Sequence, residues 1–214
     1  CNGAQRGKTV RAFLRVGIMS ERIVVNIAVE GDLDEVVLRN MLTSIGIEVD
    51  SVYGRRGKDF LRENVKRYNQ AAQYARWVIL VDLNNDAECP PPFVTSWLPT
   101  QNPNLQLRIA VRAIESWLLA DRKEIAHFLR VPVQKVPIQP ENEANPKQTL
   151  IHIARISKSK NLREDIVPPP ISTASQGPGY TSRLIEFTMN YWDPGRAAHH
   201  SPSLKRSINS LSRW

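Results

Sequence analysis

The stretch Ile23 to Gly31 (IVVNIAVEG) constrains this chain more than any other. Six of its first seven residues are apolar and most are β-branched, the composition of a strand buried on both faces. The run stops at Glu30-Gly31, with Asp32, Asp34 and Glu35 close behind. A second run, Trp77 to Val81 (WVILV), stops the same way, in Asp82, Asn84 and Asp86. Two buried strands that each deliver a carboxylate at the C-terminal end describe a site in the strand-end crevice of an α/β sheet, where such folds bind ligands.

The segments between and after these runs supply the rest of an α/β pattern. Leu33 to Ile45 reads as a helix with Val37, Leu38, Met41, Leu42 and Ile45 on one face. Asp32 is its expected N-cap, with Glu35 three residues on as in a capping box, and Gly46 its expected end. Ile47 to Tyr53 alternates apolar and polar residues, as a strand does. Lys58 to Tyr74 reads as a helix with Phe60, Leu61, Val65 and Tyr68 inward, Phe93 to Leu98 as a short helix, and Leu105 to Val111 as a fourth strand. Strand–helix–strand order implies a parallel sheet.

Ala113 to Leu129 is helical overall, with Asp121 expected to cap a second helix inside it and Glu115 one turn past the fourth strand. Prolines 132, 137, 140 and 146 make residues 130–146 irregular. Lys147 to Ile156, Tyr180 to Tyr191 and Pro202 to Leu211 are expected helices. The resulting division is a tail over 1–18, an α/β core over 19–130, and a mainly helical extension over 131–214 packed on that core.

The tail reads as non-native or upstream sequence ahead of a start at Met19. Its Gly3-Ala4-Gln5-Arg6-Gly7-Lys8-Thr9 fails as a P-loop, because three residues instead of four separate the glycines and no strand precedes them. Hydrophobic residues make up 42% of the 214, enough for a core, and no apolar run reaches membrane-span length. Cys1 and Cys89 form no metal or disulfide pattern. These features point to a cytoplasmic protein with no membrane partner.

Charge is unevenly placed: the net +8 divides into +4 over residues 1–18, −2 over 19–146 and +6 over 147–214. An acidic strand-end site between basic segments suits a polyanion held through a metal. Glu30, Asp82, Asp86 and Glu115 are the carboxylates for it, with Asn84 as a neutral ligand. Mg²⁺ takes hard oxygen ligands and keeps several waters. Gly54-Arg55-Arg56-Gly57-Lys58 reads either as an ordinary glycine turn with exposed arginines or as a turn whose three cations at a helix N-terminus suit phosphate. Asp32, Asp34 and Glu35 read as caps or surface acids. Tyr180, Tyr191, Trp77, Trp117 and Trp192 read as core, His127 as helix surface, and His199-His200 as a solvated loop pair.

V-E-G-x-x-D-E after the first strand and L-V-D-x-N after the third resemble the TOPRIM domain, the topoisomerase–primase fold also found in OLD-type nucleases. Glu30 and Asp82 match its Glu and the first Asp of its Asp-x-Asp. Asn84 stands where the second Asp is expected, and Asp86 is the substitute. Ala113 to Asp121 (AIESWLLAD), Pro146-Lys147 and Ser201-Pro202-Ser203-Leu204 resemble a poorly characterised prokaryotic TOPRIM-like branch found near ATPases in phage-defence contexts.

The resemblance covers about residues 22–214. It implies Mg²⁺- or Mn²⁺-dependent phosphodiester cleavage of DNA or RNA, with an AAA- or ABC-type ATPase partner. Glu30 would be base or metal ligand, Asp82 and Asp86 metal ligands, and Glu115 an added carboxylate beside Arg112. Arg55, Arg56, Lys58, Arg112 and Lys147 would contact phosphates. A homo-oligomer is compatible with it. The alternative is a non-catalytic module of the same fold that binds nucleic acid or the ATPase. The enzyme reading expects Glu30, Asp82 and a third carboxylate to converge within about 4–6 Å of one point.

Overall fold

A computed structural model describes residues 22–214. The expectations for residues 1–18, and for Cys1, lie outside the described residues. Four strands, β1 (Ile23–Val29), β2 (Ile47–Gly54), β3 (Arg76–Asp82) and β4 (Leu105–Ala110), form one sheet in the order β2-β1-β3-β4. All three pairings are parallel. A register shift between Val25 and Ile27, opposite Val49 and Val52, kinks the β1–β2 pair.

Helices cover both faces. On one lie α1 (Asp32–Ser44) and α4 (Ile114–Ala120), on the other α2 (Lys58–Ala71) and α3 (Pro90–Trp97). Strand alternation explains the division. Val25, Ile27, Val29, Val78 and Leu80 join the α1 side, whereas Ala28, Trp77, Ile79 and Val81 join the α2 side. The chain thus runs from β1 outward to β2 through α1, then crosses back over β1 to β3 through α2. That reversal makes the gap between the ends of β1 and β3 the topological switch point of the sheet.

The later chain, α5 (Arg122–Leu129), α6 (Pro146–Arg155), α7 (Lys160–Ile166), α8 (Tyr180–Asn190), α9 (Pro194–Ala197) and α10 (Pro202–Leu211), adds Leu150, Leu162, Leu184, Phe187 and Leu204 to the core under α1 and α4. Two helices expected to follow prolines do so with side-chain caps. Asn145 accepts from the Gln148 N–H ahead of Pro146, and Ser201 from the Leu204 N–H ahead of Pro202. Among the described residues no helix is long and apolar enough to cross a membrane.

Several local expectations are corrected. Helix α1 begins at Asp32 itself after an extended Gly31, with no side-chain cap, because Glu35 is drawn to Arg39 (2.8 Å) and to Arg55. Gly46 does end it, at φ 77°. Asp121 holds the N-cap position of α5 as expected but makes no side-chain cap bond, since its carboxylate accepts from Arg196 Nη2 (2.8 Å) and the Asp193 N–H (3.0 Å). Phe60 is only half-buried, under the Arg56 guanidinium at 4.5 Å. Tyr191 is 40% exposed rather than core. Short 3₁₀ turns at Val133–Lys135 and Pro140–Asn142 lie inside the stretch expected to be irregular, and helices α7 and α9 fall where no element was expected.

Candidate active site at the switch point

Glu30 and Asp82 meet at the switch point. The backbone N–H of Asp82 donates to Glu30 Oε1 at 2.9 Å, joining the end of β1 to the end of β3. Asp82 continues the alternation of Val78 and Leu80, so it leans to the face that carries α1 and α4. Asp34, in the first turn of α1, and Glu115, in the first turn of α4, stand on that face, both buried. Asp82 Oδ1 is buried among these groups with no hydrogen-bond partner.

Proton affinities report the crowding. Burial, with the charges of Asp34, Glu115 and Glu30 behind it, holds the Asp82 carboxyl well above the usual carboxylate range. Burial, then Glu30 and Glu115, pushes Asp34 up to about 7, against the pull of the backbone N–H groups of Asp34 and Gly31. Glu30 is also raised, by burial first, while the Asp82 N–H and the Lys58 charge oppose it. A desolvated set of like charges is costly, and such sets concentrate at functional sites.

One lysine acts on the cluster directly and a second touches the Tyr180 ring. The turn between β2 and α2 wraps the end of β1, with the Arg55 N–H on Val29 O (2.8 Å) and the Gly57 N–H on Glu30 O (3.0 Å). Gly54 makes this approach possible. At φ 89°, a Cβ there would lie 2.3 Å from Val29 O. The turn delivers Lys58, whose Nζ donates to Asp86 Oδ2 at 2.6 Å beside the Phe93 ring. Lys147 lies 5.2 Å from the centre of the Tyr180 ring, and the Tyr180 hydroxyl donates to Glu115 Oε1 at 2.8 Å. Burial and Glu115 push the Tyr180 hydroxyl far above its ordinary range.

The expected site residues therefore divide. Glu30, Asp82, Glu115 and Lys58 contribute to one cluster, which Lys147 reaches only through the Tyr180 ring. Asp86 sits at its rim, tied to Lys58. Asn84 is exposed at φ 51°, a left-handed position that Asn tolerates, and its backbone carries the contacts: its N–H donates to Arg112 O (2.7 Å) and its carbonyl accepts from Arg112 Nη1 (3.1 Å). Arg112 thereby holds the 84–87 loop, reaching Ala87 O as well (3.3 Å). Arg55 is ion-paired with Glu35 and Asp32, and Arg56 lies on Phe60.

Sequence reasoning missed two members. Asp34 is not a surface acid: it is 8% exposed and belongs to the cluster. Tyr180 is buried as expected but for a polar reason, its bond to Glu115. The Asp34 signal was present in its offset, two residues into a helix that starts at Asp32, which turns it back toward the sheet.

The donor chemistry fits a hard divalent cation: carboxylate oxygens that repel one another, one of them buried and unpartnered. Among the described residues, however, no three His, Cys, Asp or Glu side chains gather as a metal-ion shell, so the expected tight convergence is replaced by a looser cluster. Mg²⁺ is content with one or two carboxylates and several waters, and Glu30 and Asp82 are the pair that suits it. No protein-family model, curated protein or solved structure matches this chain.

Proposed function

We propose that the chain is a TOPRIM-like nuclease, cleaving phosphodiester bonds of DNA or RNA with a divalent metal at the β1–β3 switch point. The observation that carries this reading is the buried, unpartnered Asp82 Oδ1 among Glu30, Asp34 and Glu115. Mg²⁺ or Mn²⁺ bound there would offset phosphoryl charge and make a water a better nucleophile. Glu30 and Asp82 would hold it. Lys58 and Lys147 would bind and orient the polyanion. Asp34, with a proton affinity near neutrality, would take up or release a proton as the local charge changes. Phage defence with an ATPase partner is part of the same proposal and rests on the sequence resemblance.

The direct test is cleavage of mixed DNA and RNA with Mg²⁺ or Mn²⁺ by the parent, Glu30→Gln and Asp82→Asn. Metal-dependent cleavage in the parent and its loss in both variants is expected. Activity that persists in both would place the chemistry elsewhere.

One observation favours the second reading, a non-catalytic binding module. The third and fourth acids are engaged, Glu115 by Tyr180 and Asp86 by Lys58. That module would bind nucleic acid or the ATPase and remain inert with every metal.

A further inference from the structure

A pocket of about 400 Å³ runs along β4, the edge strand, between α3 and α10. It is separate from the carboxylate cluster. Two arginines line it, Arg108 from β4 and Arg206 from α10. Arg108 Nε is buried with no hydrogen-bond partner. Among the described residues, neither guanidinium has an acidic partner, whereas Arg22, Arg39, Arg55, Arg183 and Arg196 all do. No acidic side chain lines the pocket. Burial lowers the proton affinity of Arg108, with no anion to counter it.

Arg108 gives up hydration there with its Nε unpartnered, and an oxyanion in the pocket would supply acceptors to it and to the exposed Arg206. Their planar forks match phosphate or carboxylate oxygens in geometry. The rest of the wall sets the body of the ligand. Pro90, Pro91, Val94, Leu107 and Ile109 give an apolar surface for a flat ring. The hydroxyls of Thr95 and Ser207 already donate to Pro91 O and Ser203 O, which leaves their oxygens only acceptor capacity for a ligand. The volume lies within the range of small-molecule sites.

We propose that this pocket binds a nucleoside 5′-phosphate group, its phosphate on Arg108 and Arg206 and its base on the apolar wall. The group can arrive as a free mononucleotide or as the 5′-phosphorylated end of a strand. The site does not depend on the nuclease reading.

Calorimetry on the full chain tests it with five probes: adenosine 5′-monophosphate, adenosine, inorganic phosphate, and a short oligo-dA with and without a 5′-phosphate. Adenosine 5′-monophosphate is expected to bind at least tenfold more tightly than adenosine or phosphate. Arg206→Gln, on the exposed side of α10, should lose tenfold or more of that affinity while keeping the parent's thermal unfolding. Arg108→Gln should lose more. Asp82→Asn should bind as the parent does. Oligo-dA binding that needs the 5′-phosphate would identify a strand end, and binding of the mononucleotide alone a free nucleotide. Equal binding of adenosine and its monophosphate, affinity unchanged in Arg206→Gln, or no binding by any probe would overturn the proposal.

Discussion

The Tyr180 hydroxyl and Glu115 Oε1 stand 2.8 Å apart, both residues buried, although 65 positions separate them in the chain. The bond ties α8 to the first turn of α4 and thereby sets where Glu115 sits relative to Asp82. Removing the hydroxyl leaves a buried carboxylate oxygen short of a donor. Tyr180→Phe is expected to destabilise the fold by about 1–3 kcal/mol, read by urea unfolding. A change below about 0.5 kcal/mol would mean that water replaces the hydroxyl.

Asp34 makes stability depend on pH. Its folded proton affinity, about 7, lies above the ordinary carboxyl value. The folded state therefore keeps a proton that the unfolded chain releases, and its contribution is present below about pH 4 and lost as pH rises through 7. Asp34→Asn removes this penalty. The variant should be more stable than the parent at pH 8, by at most about 4 kcal/mol, and the gap should close toward pH 4. A parent that grows more stable from pH 5 to 8 relative to the variant would contradict this.

Lys58 lowers the proton affinities of Glu30 and Asp82. Lys58→Met should raise both further and shift the pH midpoint of Mn²⁺ binding upward. An unchanged midpoint would show that its Asp86 pair screens it from the cluster.

Two glycines with similar backbone angles should respond differently. Gly46 (φ 77°) has open space where a Cβ would go, whereas Gly54 (φ 89°) would press one against Val29 O. Gly46→Ala should cost about 1 kcal/mol. Gly54→Ala should cost more than about 2 kcal/mol, since the β1 end or the turn must move. Thermal unfolding of the pair gives the comparison.

Much of this arrangement was legible in the chain. The apolar runs at Ile23–Val29 and Trp77–Val81 carry a buried-strand composition, and the acids that end them had to fall at the strand ends. The alternation of β2 and the periodicity of α1 and α2 were equally plain.

Side-chain allegiance was not legible, because it depends on distant partners. Glu35 abandons a capping box for Arg55 of another loop, and Asp121 leaves its helix for Arg196. Asp34 and Tyr180 join the site only because α1 and α8 pack on the same face of the sheet as α4. The short helices α7 and α9 carry too few periodic residues to stand out locally.

The central claim is that the switch-point carboxylates bind a divalent cation. The most direct measurement is Mn²⁺ titration calorimetry at pH 7 in buffers of different ionisation heat, on the parent and on Asp82→Asn. The parent should show one binding event with proton release, because Asp34, with a proton affinity near 7, still carries part of its proton at that pH. That event should be lost in the variant. No binding in the parent, or equal binding in the two proteins, would contradict it.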